Sequence, residues 1–479
     1  MGELILRMAD GTHIAVPASL DSITTYVILE QEKWFEKEMA FLAGFLKPGT
    51  TAIDIGANLG VYSLPVARLV SPGEVFAYEP ASEPRNLLSR SKALNAAANL
   101  QVLALALSDH AREGTLVLGA SSELNTLEGS GPGEQVQISS LDAEQKARGW
   151  RKIDFMKIDA EGEEERILAG AGDFYAKHAP LVMFEVKAGA KTNDNLPAAF
   201  RAMGFGIYRL LDGAPVLVPV ETREQLDPYE LNLFAARPER AAALARDGFL
   251  VETFRPWTPD DAARTRAAAF LKAQPFAPIF AALPSGGAVQ DPTYRDALAA
   301  YATWRSDEIT LPERFAALTF ACGTLTTLCQ KAASLSRLST LARVTWEAGR
   351  RGMAVSALRL MADILQRGNG QIMEPLWPAN PRFDSIAPGA NVVEWFVIGT
   401  LEQLELTTAF SSRFGGSGVD LEWLAAQKHV STEIERRRIL QRARAGDRIQ
   451  VPVRLRQPAP DHINADVWST GLVPNTVIG

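Results

Sequence analysis

Five carboxylates stand in or just beyond short apolar runs with the length and β-branched content of buried strands. Asp54 lies within residues 51–55, Glu79 follows 74–78, Asp159 and Glu161 follow 155–158, and Glu185 follows 181–184. An acid at a strand end can hold an ammonium, accept from sugar hydroxyls, or take a proton from a reacting hydroxyl. Spacing separates these roles. Asp54 precedes the pair Gly56 and Gly60, and a carboxylate there repels a phosphate but suits an amino group, directly or through water. Glu79 closes the next run, where the acid of a nucleotide fold accepts from ribose hydroxyls. Asp159, Glu161 and Glu185 come to the same edge from two later runs, where a transferred group and its acceptor would meet.

The elements that position these acids follow from the residues between them. Gly56 lets the backbone turn sharply away from strand 51–55, and Gly60 lets the next segment start close against it. Apolar residues then fall at helical spacing over 61–70. Strand, tight glycine turn and helix make a nucleotide-type cradle at the carboxyl end of a central strand. The dinucleotide fingerprint G-x-G-x-x-G is absent here; the glycines read G-x-x-x-G with Asp54 just ahead. That disfavours a nicotinamide oxidoreductase, and the pair Asp54 and Glu79 points to S-adenosylmethionine. A third strand over 100–107 ends at Ser108-Asp109-His110, where an adenine would lie beyond the ribose. Asp109 is placed to accept from the adenine amino group, with Ser108 assisting.

Methyl transfer is an in-line displacement at a sulfonium, so the protein must position the acceptor and remove its proton. Asp159 is the first candidate for base or acceptor-orienting group, with Glu161 and Glu185 beside it. A nearby sulfonium would hold the Asp159 carboxyl down and weaken it as a base. His178 precedes strand 181–184 and so lies at the wrong edge, whereas His110 falls beside the adenine. Asp159, Glu161 and Glu185 together also form an oxygen-donor set suited to Mg2+, which would acidify a bound hydroxyl.

Residues 1–50 read as a hairpin around Ala9-Asp10-Gly11-Thr12, then one helix capped by Thr24 or Thr25 and running to about Lys47. Tyr26, Glu32 and Glu36 on that helix could reach the cofactor from above. The polar, glycine-rich stretch 121–133 has the composition of a flap over a substrate. Further strand signals over 205–211, 215–218 and 229–235 complete an expected seven-stranded sheet with alternating helices, ending near Arg237.

The series Asp54-Ile55-Gly56-Ala57-Asn58-Leu59-Gly60, Tyr78-Glu79-Pro80, Ala106-Leu107-Ser108-Asp109, Lys157-Ile158-Asp159-Ala160-Glu161-Gly162 and 181–185 resembles the FkbM family of S-adenosylmethionine-dependent methyltransferases. The likeness covers about residues 20–237. It implies a class I methyltransferase, Rossmann-like α/β fold and O-methylation of a hydroxyl on a sugar, glycan or natural product. By position it puts Asp54, Gly56, Asn58, Gly60 and Glu79 at the cofactor and Asp159 and Glu161 near the reaction.

Beyond residue 238 strand signals give way to alanine-rich helical patterns, so 238–479 is expected to be a mostly helical domain beside 51–237. Residues 338–366 read as a helix pair like one tetratricopeptide unit, with no second copy at that period. The charged helix 433–444 is expected to be a solvated face. This half shows no catalytic constellation; it would select the acceptor, form a homo-oligomer or bind a protein partner. A catalytically degenerate fold acting as a scaffold through this half is the alternative. Cys322 and Cys329 lie two turns apart on one helix face, too far for a disulfide. A net charge of −7 argues against a general nucleic-acid binder. No apolar run approaches a membrane span, and Met1-Gly2-Glu3-Leu4 lacks signal-peptide character, which points to the cytoplasm.

Overall fold

The computed structural model describes the chain except residues 1, 120, 128–130, 189–190, 194, 223–224, 284, 369 and 479. Its centre is an eight-stranded sheet. In chain order the strands are β1 (Ala52–Ile55), β2 (Val75–Tyr78), β3 (Leu100–Leu103), β4 (Phe155–Ile158), β5 (Leu181–Glu185), β6 (Gly206–Leu210), β7 (Leu217–Pro219) and β8 (Asn232–Ala236). Across the sheet the order is β3-β2-β1-β4-β5-β8-β6-β7. The first five strands in that row are parallel, and β8 enters antiparallel between β5 and β6. The class I methyltransferase fold expected from the sequence is the fold observed. The expected count of seven is one short of the runs read as strands: all eight of those runs contribute a strand, with β7 pairing back on β6 at the edge.

Every residue of β1, β2 and β4 is buried, as expected of a parallel sheet covered on both faces. The period of two splits each strand between two cores. Ala52, Ala77, Phe155 and Met183 face the N-terminal hairpin and the helices Ile23–Gln31 and Ser63–Val70. Ile53, Phe76, Met156 and Val182 face the helices Leu141–Arg148, Gly172–Lys177 and Asn195–Ala202. Asp54 and Lys157 alternate with the second set, so both look toward the N-terminal segment.

Three expectations are corrected. The single helix to Lys47 is two, Ile23–Gln31 and Glu38–Phe45, and its cap is Ser22, whose hydroxyl accepts from Thr25 N–H at 3.3 Å. Glu32, at φ 58°, ends the first helix in a left-handed turn, and residues 33–37 cross above the strand ends. The expected strand 100–107 is also two: only β3 stays in the main sheet, while Ala106–Leu107 pairs with Gly133–Ser139 in a separate three-stranded sheet. The third correction is the charged helix, Thr432–Arg444. Arg436 and Arg437 are 3% and 1% exposed, because the helix packs on the N-terminal segment. Arg437 pairs with Glu433 at 3.0 Å, Glu405 at 3.3 Å and Glu30 at 3.4 Å.

The second half is helical as expected, and the core around Trp304, Trp377 and Trp395 also takes in Leu211, Val216 and Val218 beside the sheet edge. Helices Leu335–Glu347 and Arg351–Gln366 form the expected pair. Its last stretch returns to the first core, where Ile439, Leu440, Leu455 and Trp468 pack with residues of the hairpin and sheet. Cys322 and Cys329 are free and half-buried in the helix Leu311–Lys331. Among the described residues no helix is long and apolar enough to cross a membrane.

Candidate active site

Register builds the site. Ile55 lies beside Tyr78 on one flank and Ile158 on the other, and Ile158 lies beside Phe184. One residue further on, the four chains therefore deliver Gly56, Glu79, Asp159 and Glu185 to one row at the carboxyl ends. Only glycine fits at 56: its φ is +79°, and a Cβ there would stand 1.7 Å from the Asp159 carbonyl oxygen. The turn stays tight because Gly56 and Ala57 N–H both bond the Tyr78 carbonyl at 3.0 Å.

Above this row lies a cavity of about 230 Å³. Asp54, Gly56, Asn58, Glu79, Asp159, Glu161 and Glu185 all line it; Gly60 stands behind it, where a Cβ would meet Leu88 at 2.4 Å. Asp54 Oδ2 accepts from the Ser63 hydroxyl at 2.5 Å, whereas Oδ1 is buried with no hydrogen-bond partner among the described residues. Burial raises the Asp54 carboxyl, against the Lys157 charge that lowers it. Glu79 accepts from Asn58 N–H and Ala81 N–H, each at 2.8 Å. Burial outweighs those two amides and pushes its carboxyl up to about 7.

At the other end of the row Lys157 Nζ donates to Asp159 Oδ2 at 2.7 Å. Burial disfavours its charge, but the charges of Asp159, Asp54 and Glu36 outweigh burial and hold the ammonium. Burial, with the Asp159 and Glu161 charges, pushes Glu185 up to about 11, so it stays protonated and shares a hydrogen bond with Asp159. Glu161 has a left-handed backbone, φ 48°; its side chain is exposed where it lines the cavity, and partial desolvation with the charges of Asp159 and Glu164 raises it to about 8. One ligand atom from each of Asp159, Glu161 and Glu185 falls within 4.8 Å of the others.

Two of the expected cofactor residues are elsewhere. Ser108 and Asp109 do not line the cavity, because the chain leaves the main sheet after β3 and carries them to the three-stranded sheet. There Ser108 gives its hydroxyl to Glu163 at 2.7 Å and Asp109 accepts from Arg112 at 2.7 Å. Glu163 itself lines the cavity. Tyr26 and Glu32 are likewise turned away, the first bonded to Ser412 at 2.9 Å, the second to the Ile463 and Asn464 amides.

Glu36 does reach the site. It accepts from Tyr62 at 2.5 Å, Asn232 at 2.8 Å and Trp34 Nε1 at 2.9 Å, and stands among the acids around Lys157. Trp34 and Phe35 form a roof with Phe414 of the helical half, whose ring stands 5.8 Å from that of Phe35. The stretch expected as a flap closes one side: Ser122 donates to Asn58 Oδ1 at 2.9 Å, and Glu123 accepts from Thr24 N–H at 3.0 Å. Residues 128–130 of that stretch lie outside the described residues. Phe414, in Phe414-Gly415-Gly416, reads in the sequence only as part of an aromatic cluster with loops in the helical half, and Lys157 only as part of a strand.

The family pattern described as "Methyltransferase FkbM domain" matches residues 54–207. Among curated proteins no relative matches the chain. Several solved structures are similar to part of it. An O-methyltransferase from Thermotoga maritima is 18% identical over 49% of this chain and 77% of its own, with a TM-score of 0.27. A methyltransferase from Aquifex aeolicus is 12% identical over 44% and 95%, at 0.26. An rRNA methylase from Streptococcus thermophilus is 11% identical over 43% and 96%, at 0.25. Residues 54–207, which hold the glycine turn and every acid of the row, are a methyltransferase FkbM domain.

Proposed function

We propose that the protein uses S-adenosylmethionine to methylate a hydroxyl on a sugar, glycan or natural product. The observation that carries the reading is the row itself: an unpartnered buried oxygen at Asp54, a buried acceptor at Glu79, and a raised carboxyl at Glu161, all on one cavity. Asp54 Oδ1 would take the cofactor's amino group, and Glu79 its ribose hydroxyls. The bound cofactor supplies an electrophilic methyl group.

The chain's own residues do the rest. Lys157 and protonated Glu185 fix Asp159 from two sides, which suits it to orienting an acceptor hydroxyl. Glu161 has the proton affinity of a general base working near neutrality, and we assign it that role in place of Asp159. Trp34, Phe35 and Phe414 give the cavity an apolar wall against which an acceptor can pack. Mg2+ on Asp159, Glu161 and Glu185 is a second reading, favoured by the oxygen-donor set. In the reading adopted here Lys157 and the Glu185 proton already compensate these acids, so turnover should survive EDTA; its loss, restored by Mg2+, would establish the metal.

Calorimetric titration with S-adenosylhomocysteine, with NADH as control, tests the cofactor. Micromolar binding of the first alone is expected, after which glycan and small-molecule hydroxyls can be screened with labelled methyl donor. Failure of a folded sample to bind would overturn the reading in favour of a scaffold.

A further inference from the structure

The helical half contains a second cavity, of about 420 Å³, with no lining residue in common with the first. It is enclosed by the helix Asp261–Lys272, the turn at residues 286–289, the start of the helix Pro292–Trp304, and Pro375 and Trp377. Small side chains make up much of the lining, Ala267, Ala268, Ala277 and Ala281 among them, and Ala268 and Ala281 lie at its exposed rim. Phe280, Leu298 and Trp377, each 5% exposed or less, form the floor.

Charge marks the lining. No acid contributes to it, but three cations do, Arg264, Lys272 and Arg295. Arg264 is matched, with Asp296 at 2.6 Å and Asp261 at 2.8 Å. Lys272 and Arg295 are exposed and make no ion pair among the described residues. An apolar chamber of this size with a few convergent polar groups has the form of a ligand site, and positive charge left uncompensated beside it selects an anion.

We propose that this cavity binds an amphipathic carboxylate, its apolar body against Phe280, Leu298 and Trp377 and its carboxylate on Arg295 and Lys272. The guanidinium of Arg295 can donate to both carboxylate oxygens in a fork, which a point charge cannot do. The site is independent of the methyl-transfer reading and would give the helical half a ligand of its own.

Dodecanoate is the probe, titrated into the full chain below its micelle concentration and followed by calorimetry, with dodecyltrimethylammonium as the control of equal tail and opposite charge. Saturable one-to-one binding of dodecanoate is expected, with the cationic control at least tenfold weaker. R295E combined with K272E, both at exposed positions, should weaken dodecanoate by roughly tenfold or more through lost charge-assisted hydrogen bonds. A268W, which puts a large ring at the rim of the chamber, should abolish binding while leaving the melting temperature within a few degrees. Absence of saturable binding, equal affinity for the two amphiphiles, or unchanged affinity in A268W would each overturn the proposal.

Discussion

Glu79 is buried, carries two backbone amides and still faces the cavity, so its loss should be read in cofactor affinity. Replacement by alanine is expected to weaken S-adenosylhomocysteine by about 1–3 kcal/mol, measured by calorimetry. The sign of its pH dependence follows from its raised carboxyl. Ribose hydroxyls donate to the ionised form, so affinity should be full above about pH 7 and fall as the pH drops through it. For Glu161, raised to about 8, the base must be ionised to work. Activity measured as kcat/KM should therefore rise with pH up to about 8 and level beyond it. E161Q should lower turnover by roughly a hundredfold or more and abolish that rise, with cofactor affinity nearly intact; an unchanged profile would return the role to Asp159. The acids of the row were legible one by one, since each ends an apolar run. Their proton affinities were not, because these depend on which charges share a cavity. Asp109 shows the opposite failure: it follows an apolar run like the others, but the run splits after Leu103 and takes it off the row.

At the scale of the element, the turn after β1 is the least tolerant part of the site. G56A would force a side chain into a left-handed backbone and onto the Asp159 carbonyl. A loss of about 1–3 kcal/mol from the backbone conformation alone is expected, with collapse of cofactor binding, both visible in paired melting and titration experiments. The strands and this turn were readable because period-two burial and a glycine pair are local signals. The helical break at Glu32 was not. Apolar residues continue at helical spacing on both sides of it, and what stops the helix is tertiary: the Glu32 carboxylate is held by the Ile463 and Asn464 amides, far along the chain. That break carries Trp34, Phe35 and Glu36 over the strand ends, so the roof was as hidden as its cause.

At the scale of the whole molecule, the helix Thr432–Arg444 and the segment after it close back on the first thirty-odd residues. Arg437 lies at 1% exposure between Glu30, Glu405 and Glu433. R437A would strand buried carboxylates and should destabilise the protein by about 3–5 kcal/mol, read as a lower urea midpoint. An unchanged midpoint would mean that this contact does not couple the two ends. Charge density made this helix look like surface, since sequence cannot tell a paired buried arginine from a solvated one. The return of the chain also sets an order of events during synthesis. Domains fold from the N-terminus as they emerge, yet contacts between residues 30 and 437 cannot form until residue 437 has left the ribosome. The sheet can be complete while Phe414 and the closing helix are still inside the ribosome. A nascent chain, or one terminated before Phe414, would thus hold every acid of the row under an open roof, and competence for the acceptor would come only once the closing helix had emerged.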